Sequence, residues 1–213
     1  MTGHRQEFER ELEAIETKVI ELFALLAEDL PRATQALLSG SNEVLPVLAE
    51  REQQVDALYP EIEELVNREI VLQAPVASDL RFLLSVLRIV PEIERSHDLV
   101  MHIAFQSNHI LGADLSPRTR GLVERMGNLV GDMWRRTADA WYQRDRSVAQ
   151  VLIERDDDMD DLHASLVAEL AAGRMALPVT MDMTLVARDY KRLSAHAVNI
   201  ARRVVYLAGA TGG

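Results

Sequence analysis

Apolar residues Phe8, Leu12, Ile15, Val19, Leu22, Leu26, Leu30, Ala33 and Leu37 recur at alternating steps of three and four, which predicts one long amphipathic helix ended by Gly40. A second stripe, Val44, Leu48, Val55, Leu58, Ile62 and Leu65, predicts a second helix capped by Ser41 or Asn42 and kinked at Pro60. Gln73-Ala74-Pro75 breaks the pattern. Ser78 or Asp79 can then open a third helix with Leu80, Leu84, Leu87, Met101 and Phe105 on one face and a bend at Pro91.

After Gly112 the plan starts again. Ser116 and Pro117 form a cap and first-turn pair ahead of Leu122, Met126, Leu129, Met133, Ala140 and Trp141. A fifth helix is expected from about Asp145 to Gly173, and a sixth from near Thr180, with Val186, Tyr190, Leu193, Ala197, Ile200, Val204 and Leu207 as its seam. The terminal Gly-Ala-Thr-Gly-Gly reads as a tail.

The two halves are copies of one another. Glu50, Arg51, Asp56 and Leu58 reappear as Glu154, Arg155, Asp160 and Leu162, an offset of 104 that also aligns Val19 with Val123, Leu25 with Leu129, Arg32 with Arg136 and Val47 with Val151. The linkers Ala74-Pro75-Val76 and Leu177-Pro178-Val179 correspond. In the third helices the offset falls to 97, which predicts a last helix nearly two turns shorter than the third. The expected fold is all-α: two tandem three-helix bundles, residues 1–112 and 113–213. The first and fourth helices are expected to offer exposed faces to partners.

Composition agrees and narrows the chemistry. Hydrophobic residues make up 48% and aromatics only 5%, with 10 Gly and 7 Pro, a helix-rich rather than a sheet or disordered balance. A net charge of -11 argues against nucleic acid, whose phosphates demand Lys and Arg, and predicts a poor direct binder of inorganic phosphate. The absence of cysteine excludes disulfides, thiolate catalysis and Cys-ligated zinc or iron-sulfur centres. The charged N-terminal segment is no signal peptide, and no apolar run is long enough to span a membrane, so a cytoplasmic protein is expected.

Two carboxylate pairs carry the candidate chemistry. Glu94 and Asp98 are four apart and continue the series Leu80, Leu84, Leu87, Pro91, Met101 and Phe105, which places acids where leucine is expected. Buried, they would need protonation, a basic partner or a cation. Glu52 and Asp56 form a matching pair on the second helix. An antiparallel pair of helices could bring all four together, and an all-oxygen donor set favours iron, manganese, magnesium or calcium. His97 and His102 are possible auxiliary ligands, although exposed or core-edge placement is the commoner fate of a lone histidine. In the second half Asp156 and Asp160 keep one acidic pair, while Lys191 and Ala195 replace the other; an ammonium among these aspartates would stand in for the ion. The acid run Asp156-Asp157-Asp158 lacks the glycine and glutamate of an EF-hand loop. No phosphate loop, nucleophile elbow or zinc-protease motif is present, so no enzyme is expected.

Pro75-Val76-Ala77-Ser78-Asp79-Leu80-Arg81, followed by Glu94-Arg95-Ser96-His97-Asp98, resembles the PVASDLR and ERIGD signatures of the PhoU family of phosphate-signalling regulators. Lys191-Arg192-Leu193-Ser194-Ala195-His196-Ala197-Val198-Asn199-Ile200-Ala201 is similar to that family's ERIGDHAVNIA stretch. The resemblance covers residues 5–208. It implies tandem three-helix bundles and multinuclear metal sites, iron among the ions, on Glu52, Asp56, Glu94 and Asp98, with only Asp156 and Asp160 carried over in the second half. Leu99 and His102 stand where the motif has histidine and asparagine. The resemblance further implies a non-enzymatic cytoplasmic adaptor, at the membrane only through partners and often a homodimer. Such an adaptor links the ATPase subunit of a phosphate ABC transporter to a sensor histidine kinase and represses the phosphate-starvation response. An accessory role to a low-affinity phosphate permease, and a carboxylate-bridged metalloenzyme, remain as alternatives.

Overall fold

A computed structural model describes residues 2–109 and 114–209, with side chains described from residue 5 onward. Among the described residues seven α-helices follow one another: α1 (Thr2–Ser39), α2 (Leu45–Gln73), α3 (Ala77–Phe105), α4 (Pro117–Gln143), α5 (Arg146–Glu154), α6 (Asp156–Ala171) and α7 (Leu177–Ala208). The described residues contain no strand. Gly112, at the expected boundary between the halves, and most of the terminal Gly-Ala-Thr-Gly-Gly lie outside the described residues.

The six-helix plan holds, with α5 and α6 together in the place of the predicted fifth helix. They part at Arg155, whose ψ of -2° opens the helix locally while its backbone stays right-handed. The break puts Asp156, Asp157 and Asp158 in the first turn of α6, where their charge meets the positive end of the helix dipole. The acid run is a helix-start signal.

Helix ends follow local chemistry in part. Gly40 ends α1 at φ 68°, a conformation costly for any residue with a Cβ. Ser116 accepts from Thr119 N at 3.1 Å, and Asp145 caps α5 from Ser147 N at 2.8 Å. Three expected starts differ. Helix α2 begins at Leu45 with no side-chain cap, and Pro46 in its first turn removes one of the N–H groups a cap would satisfy. Helix α3 begins at Ala77, with Asp79 inside its first turn. Helix α7 begins at Leu177 with Pro178 as its first-turn residue, three residues ahead of Thr180.

The last helix is not the shortened one: α7 has 32 residues against 29 in α3. The second helix of the repeat is the shorter one instead, the 29 residues of α2 being answered by 9 in α5 and 16 in α6. Sequence offset alone locates a deletion only to the interval between two aligned motifs.

Helices α1 and α3 of the first half pack on α4 and α7 of the second, while α2 covers one outer side and α5 with α6 the other. One continuous apolar core results, from Ile15, Leu22 and Val86 to Met133, Trp141 and Val204. The apolar stripes of α1 and α4 are turned inward, against each other, while Glu21, Glu28 and Gln35 of α1 and Glu124, Arg125 and Asn128 of α4 stay on exposed faces. Large and small residues interlock at that contact. Gly127 lets α4 approach until an added Cβ would stand 2.6 Å from the Thr34 methyl, and Phe23 of α1 meets Trp134 of α4 at 6.2 Å between ring centroids. The Thr34 hydroxyl is held at 2.8 Å from that of Tyr190, whose deep burial raises its pKa despite this bond.

The seams predicted for α1, α4 and α7 coincide with the core, since Ile15, Leu26, Met126, Trp141, Tyr190 and Ile200 are all fully buried. The seam of α3 does not. Its deepest positions are Leu83, Val86, Val90, Ile93, His97, Val100 and Ile103, whereas Leu84 and Phe105 are 43% and 45% exposed. With α1, α2 and α7 all packed against it, α3 is apolar around most of its circumference, so periodicity cannot single out its innermost stripe.

Candidate metal centre

The turn at Pro75 reverses the chain between α2 and α3, which then run antiparallel in contact. Glu52 and Asp98 are equally far from that turn, as are Asp56 and Glu94. The register brings acid opposite acid. Glu52 titrates above the usual carboxylate range because it is partly desolvated, with the charges of Asp56 and Asp98 adding to the rise and His97 opposing it. Glu94 is raised for the same reasons: partial burial first, then Asp98 and Asp56, against the nearby Arg95.

The quartet is therefore one electrostatic unit, but it lies at the edge of the fold. Glu52 and Glu94 are half-buried, and Asp56 and Asp98 are exposed. The expectation that Glu94 and Asp98 occupy core positions fails with the displaced seam of α3. Nor is the unit a finished cage, since no three or more His, Asp or Glu side chains among the described residues are grouped so as to hold a metal ion. The donor set nonetheless suits a hard cation: oxygen only, crowded with like charge, and open to solvent.

Neither histidine belongs to the carboxylate quartet. His97 is 1% exposed, with Nε2 at 3.1 Å from Oδ2 of Asp29 on α1. Asp29 is itself fully buried and is also approached by Arg51 at 3.1 Å and Arg32 at 3.4 Å. His102 turns to the other half, where its Nδ1 lies 2.5 Å from Oδ2 of the buried Asp189 on α7. Asp29 and Asp189 escaped the sequence reading. One usable signal was present for Asp29, which sits immediately before Leu30 in the first seam, on the shoulder of the buried stripe.

The second half shows what replaces the quartet. Lys191 Nζ lies 2.8 Å from Asp160 Oδ1, and Asp156 accepts from the Ser194 hydroxyl at 3.2 Å. The ammonium occupies the position of Glu94 and cancels charge there, although both partners are about half exposed, so the pair adds little stability. A different ion network is duplicated. Arg51 reaches Glu28 at 2.8 Å, and Arg155 reaches Asp132 at 2.7 Å, tying the second helix of each half to its first helix. Burial pushes the Asp132 carboxyl up, but hydrogen bonds from Arg136 and Arg155 outweigh this and hold it below the usual range.

The doubled three-helix unit has relatives among known proteins. The PhoU domain matches twice, over residues 10–106 and 123–204. This chain belongs to the PhoU family. It is 30% identical over 208 residues to a Mycobacterium tuberculosis protein called phosphate-specific transport system accessory protein PhoU homolog 2, covering 96% of this chain and 97% of that one. An Aquifex aeolicus PhoU homolog is 31% identical over 204 residues, covering 93% and 91%. The crystal structure of PhoU from Pseudomonas aeruginosa superposes with a TM-score of 0.88 at 25% identity, over 94% of this chain and 98% of the other. The two PhoU matches lie on either side of the segment that joins α3 to α4, one in each structural repeat.

Proposed function

We propose that this chain is an accessory protein of a phosphate transport system, a non-enzymatic adaptor that binds the transporter's ATPase subunit and a sensor histidine kinase and lowers phosphate uptake and starvation signalling when phosphate is ample. The observation that carries this is likeness over almost the whole length of both chains to proteins named as phosphate-specific transport system accessory proteins. No helix among the described residues is long and apolar enough to cross a membrane, so contact with a membrane transporter would run through such partners. The turn between α2 and α3 supplies a docking feature, with Val71, Leu72 and Val76 all more than two-thirds exposed. At the start of α7 in the second half, Leu177 and Met181 are also exposed. We further propose that Glu52, Asp56, Glu94 and Asp98 hold a metal ion of the iron, manganese, magnesium or calcium type, whose charge offsets four crowded carboxylates. Asp156 and Asp160, with Lys191 already among them, hold none.

Removing the gene from cells grown in ample phosphate should raise phosphate uptake and switch on a phosphate-starvation reporter; unchanged values of both would sink the adaptor reading. Elemental analysis of purified protein checks the metal. Bound metal should be present in the wild type, absent from Asp98→Ala and unchanged in Asp160→Ala.

A further inference from the structure

Net charge is an average, and this chain departs from it sharply along the seam between α3 and α7. There a groove of about 830 Å³ opens, lined on the α3 side by Arg88, Glu92 and Arg95 and on the α7 side by Asn199, Arg202 and Arg203. Tyr59 of α2 and Tyr206 of α7 complete its walls. Arg88 and Arg95 are seven apart on α3, hence on one face, and Asn199, Arg203 and Tyr206 follow the four-three step on α7. Four guanidiniums thus converge on one concavity of a protein whose net charge is -11.

One acid offsets one of these four charges. Glu92, the one carboxylate in the lining, takes Arg95 at 3.3 Å and lies 3.9 Å from His196 Nε2. Among the described residues, no carboxylate is within ion-pairing distance of Arg88 or Arg203. Arg203 lies over the Tyr206 ring at 5.0 Å, and Arg202 donates to Asn199 at 3.2 Å. Burial lowers the Arg203 pKa, and the neighbouring charge of Arg88 lowers it further. Below the groove, His196 donates to or accepts from Ser96 at 2.8 Å, and burial lowers its pKa, with Arg192 and Arg95 adding to the effect and Glu92 opposing it. Glu92 offsets Arg95, and the like charges left at Arg88 and Arg203 are relieved by an anion.

We propose that the α3–α7 groove binds a small anion carrying several phosphates, gripped by Arg88, Arg95, Arg202 and Arg203. Guanidinium is the side chain best matched to phosphate, because its planar fork gives two parallel hydrogen bonds to one phosphate. The volume leaves room for more than one phosphate. The cavity lies within the roughly 300–1,000 Å³ of small-molecule sites and is much larger than one phosphate fills. The Tyr206 ring, already faced by Arg203, gives a flat wall against which the rest of such a ligand can lie. The site is separate from the carboxylate quartet and independent of any metal there, and it amends the expectation that an acidic chain is a poor direct ligand for phosphate.

Calorimetric titration of the full chain, in low salt with a chelator present, tests this with four probes: tripolyphosphate, ATP, inorganic phosphate and polyglutamate. Tripolyphosphate or ATP should bind at least about tenfold more tightly than inorganic phosphate, since each added charged hydrogen bond is worth about a tenfold step or more. Each of Arg88→Ala and Arg203→Ala should weaken binding about tenfold, while Arg125→Ala, on the exposed face of α4, should not. ATP binding more tightly than tripolyphosphate would add a nucleoside to the ligand; equal binding would assign the phosphate chain alone. No heat with either, equal affinity for inorganic phosphate or polyglutamate, or equal weakening by Arg125→Ala would each overturn the proposal. Far-UV circular dichroism should show unchanged helix content in all three variants.

Discussion

The two halves of this chain share a scaffold and solve the same electrostatic problem differently. In the first, α2 and α3 face each other with Glu52, Asp56, Glu94 and Asp98, and beneath them His97 and Asp29 form a buried pair. In the second, Lys191 meets Asp160, and the positions of His97 and Asp29 are held by Ser194 and Met133, whose Oγ and Sδ lie 3.5 Å apart. One copy is finished by its own side chains. The other keeps an excess of negative charge on its surface and an ionic network under it, an arrangement that costs stability unless a cation joins it. Duplication has thus separated a structural half from a half with unspent chemistry, while the Arg51–Glu28 and Arg155–Asp132 bridges preserve the shared frame.

The deepest difference is also the most sensitive to mutation. Asp29→Ala leaves His97 buried and Arg51 half-buried without their shared acid, and should cost about 3–5 kcal/mol in urea unfolding. Transplanting the second half's solution, Asp29→Met with His97→Ser, should recover about half of that loss, because it removes both buried polar partners together. A double variant no more stable than Asp29→Ala would show that the two arrangements are not interchangeable.

The surface difference can be reversed. Lys191→Glu with Ala195→Asp rebuilds the quartet in the second half, and should roughly double the metal bound per chain while costing roughly 1 kcal/mol in cation-free buffer from like-charge crowding. Unchanged metal content would mean that four carboxylates in this register do not suffice.

The smallest effect isolates repulsion within the first quartet. A carboxyl whose folded-state pKa is raised contributes stability below its unfolded pKa and loses it as pH climbs through the folded value. Glu94 is such a group, so Glu94→Gln should stabilise the cation-free protein at pH 7 by a few tenths of a kcal/mol. The gain should vanish below about pH 4, where the wild-type side chain is neutral as well. A variant less stable than wild type at pH 7 would contradict the crowding.

Much of this molecule was legible in its residues. The three-four alternation of α1, α4 and α7, the glycine that ends α1, the Ser116 cap and the duplicated Glu-Arg and Asp-Leu spacing are all local or periodic, and local physics fixes them independently of the rest of the chain. The same holds for the register that sets Glu52 opposite Asp98, since a short turn between antiparallel helices leaves little freedom. What the residues could not decide was depth. Which stripe of α3 is innermost, whether Asp98 meets water, which acids His97 and His102 find, and that α1 and α4 pack their apolar stripes on each other all depend on helices far apart in sequence. The arginine groove belongs to the same class: Arg88 and Arg203 are unremarkable on separate helices and become a site only where α3 and α7 are packed side by side. Periodicity determines what a helix can bury; only its neighbours determine what it does.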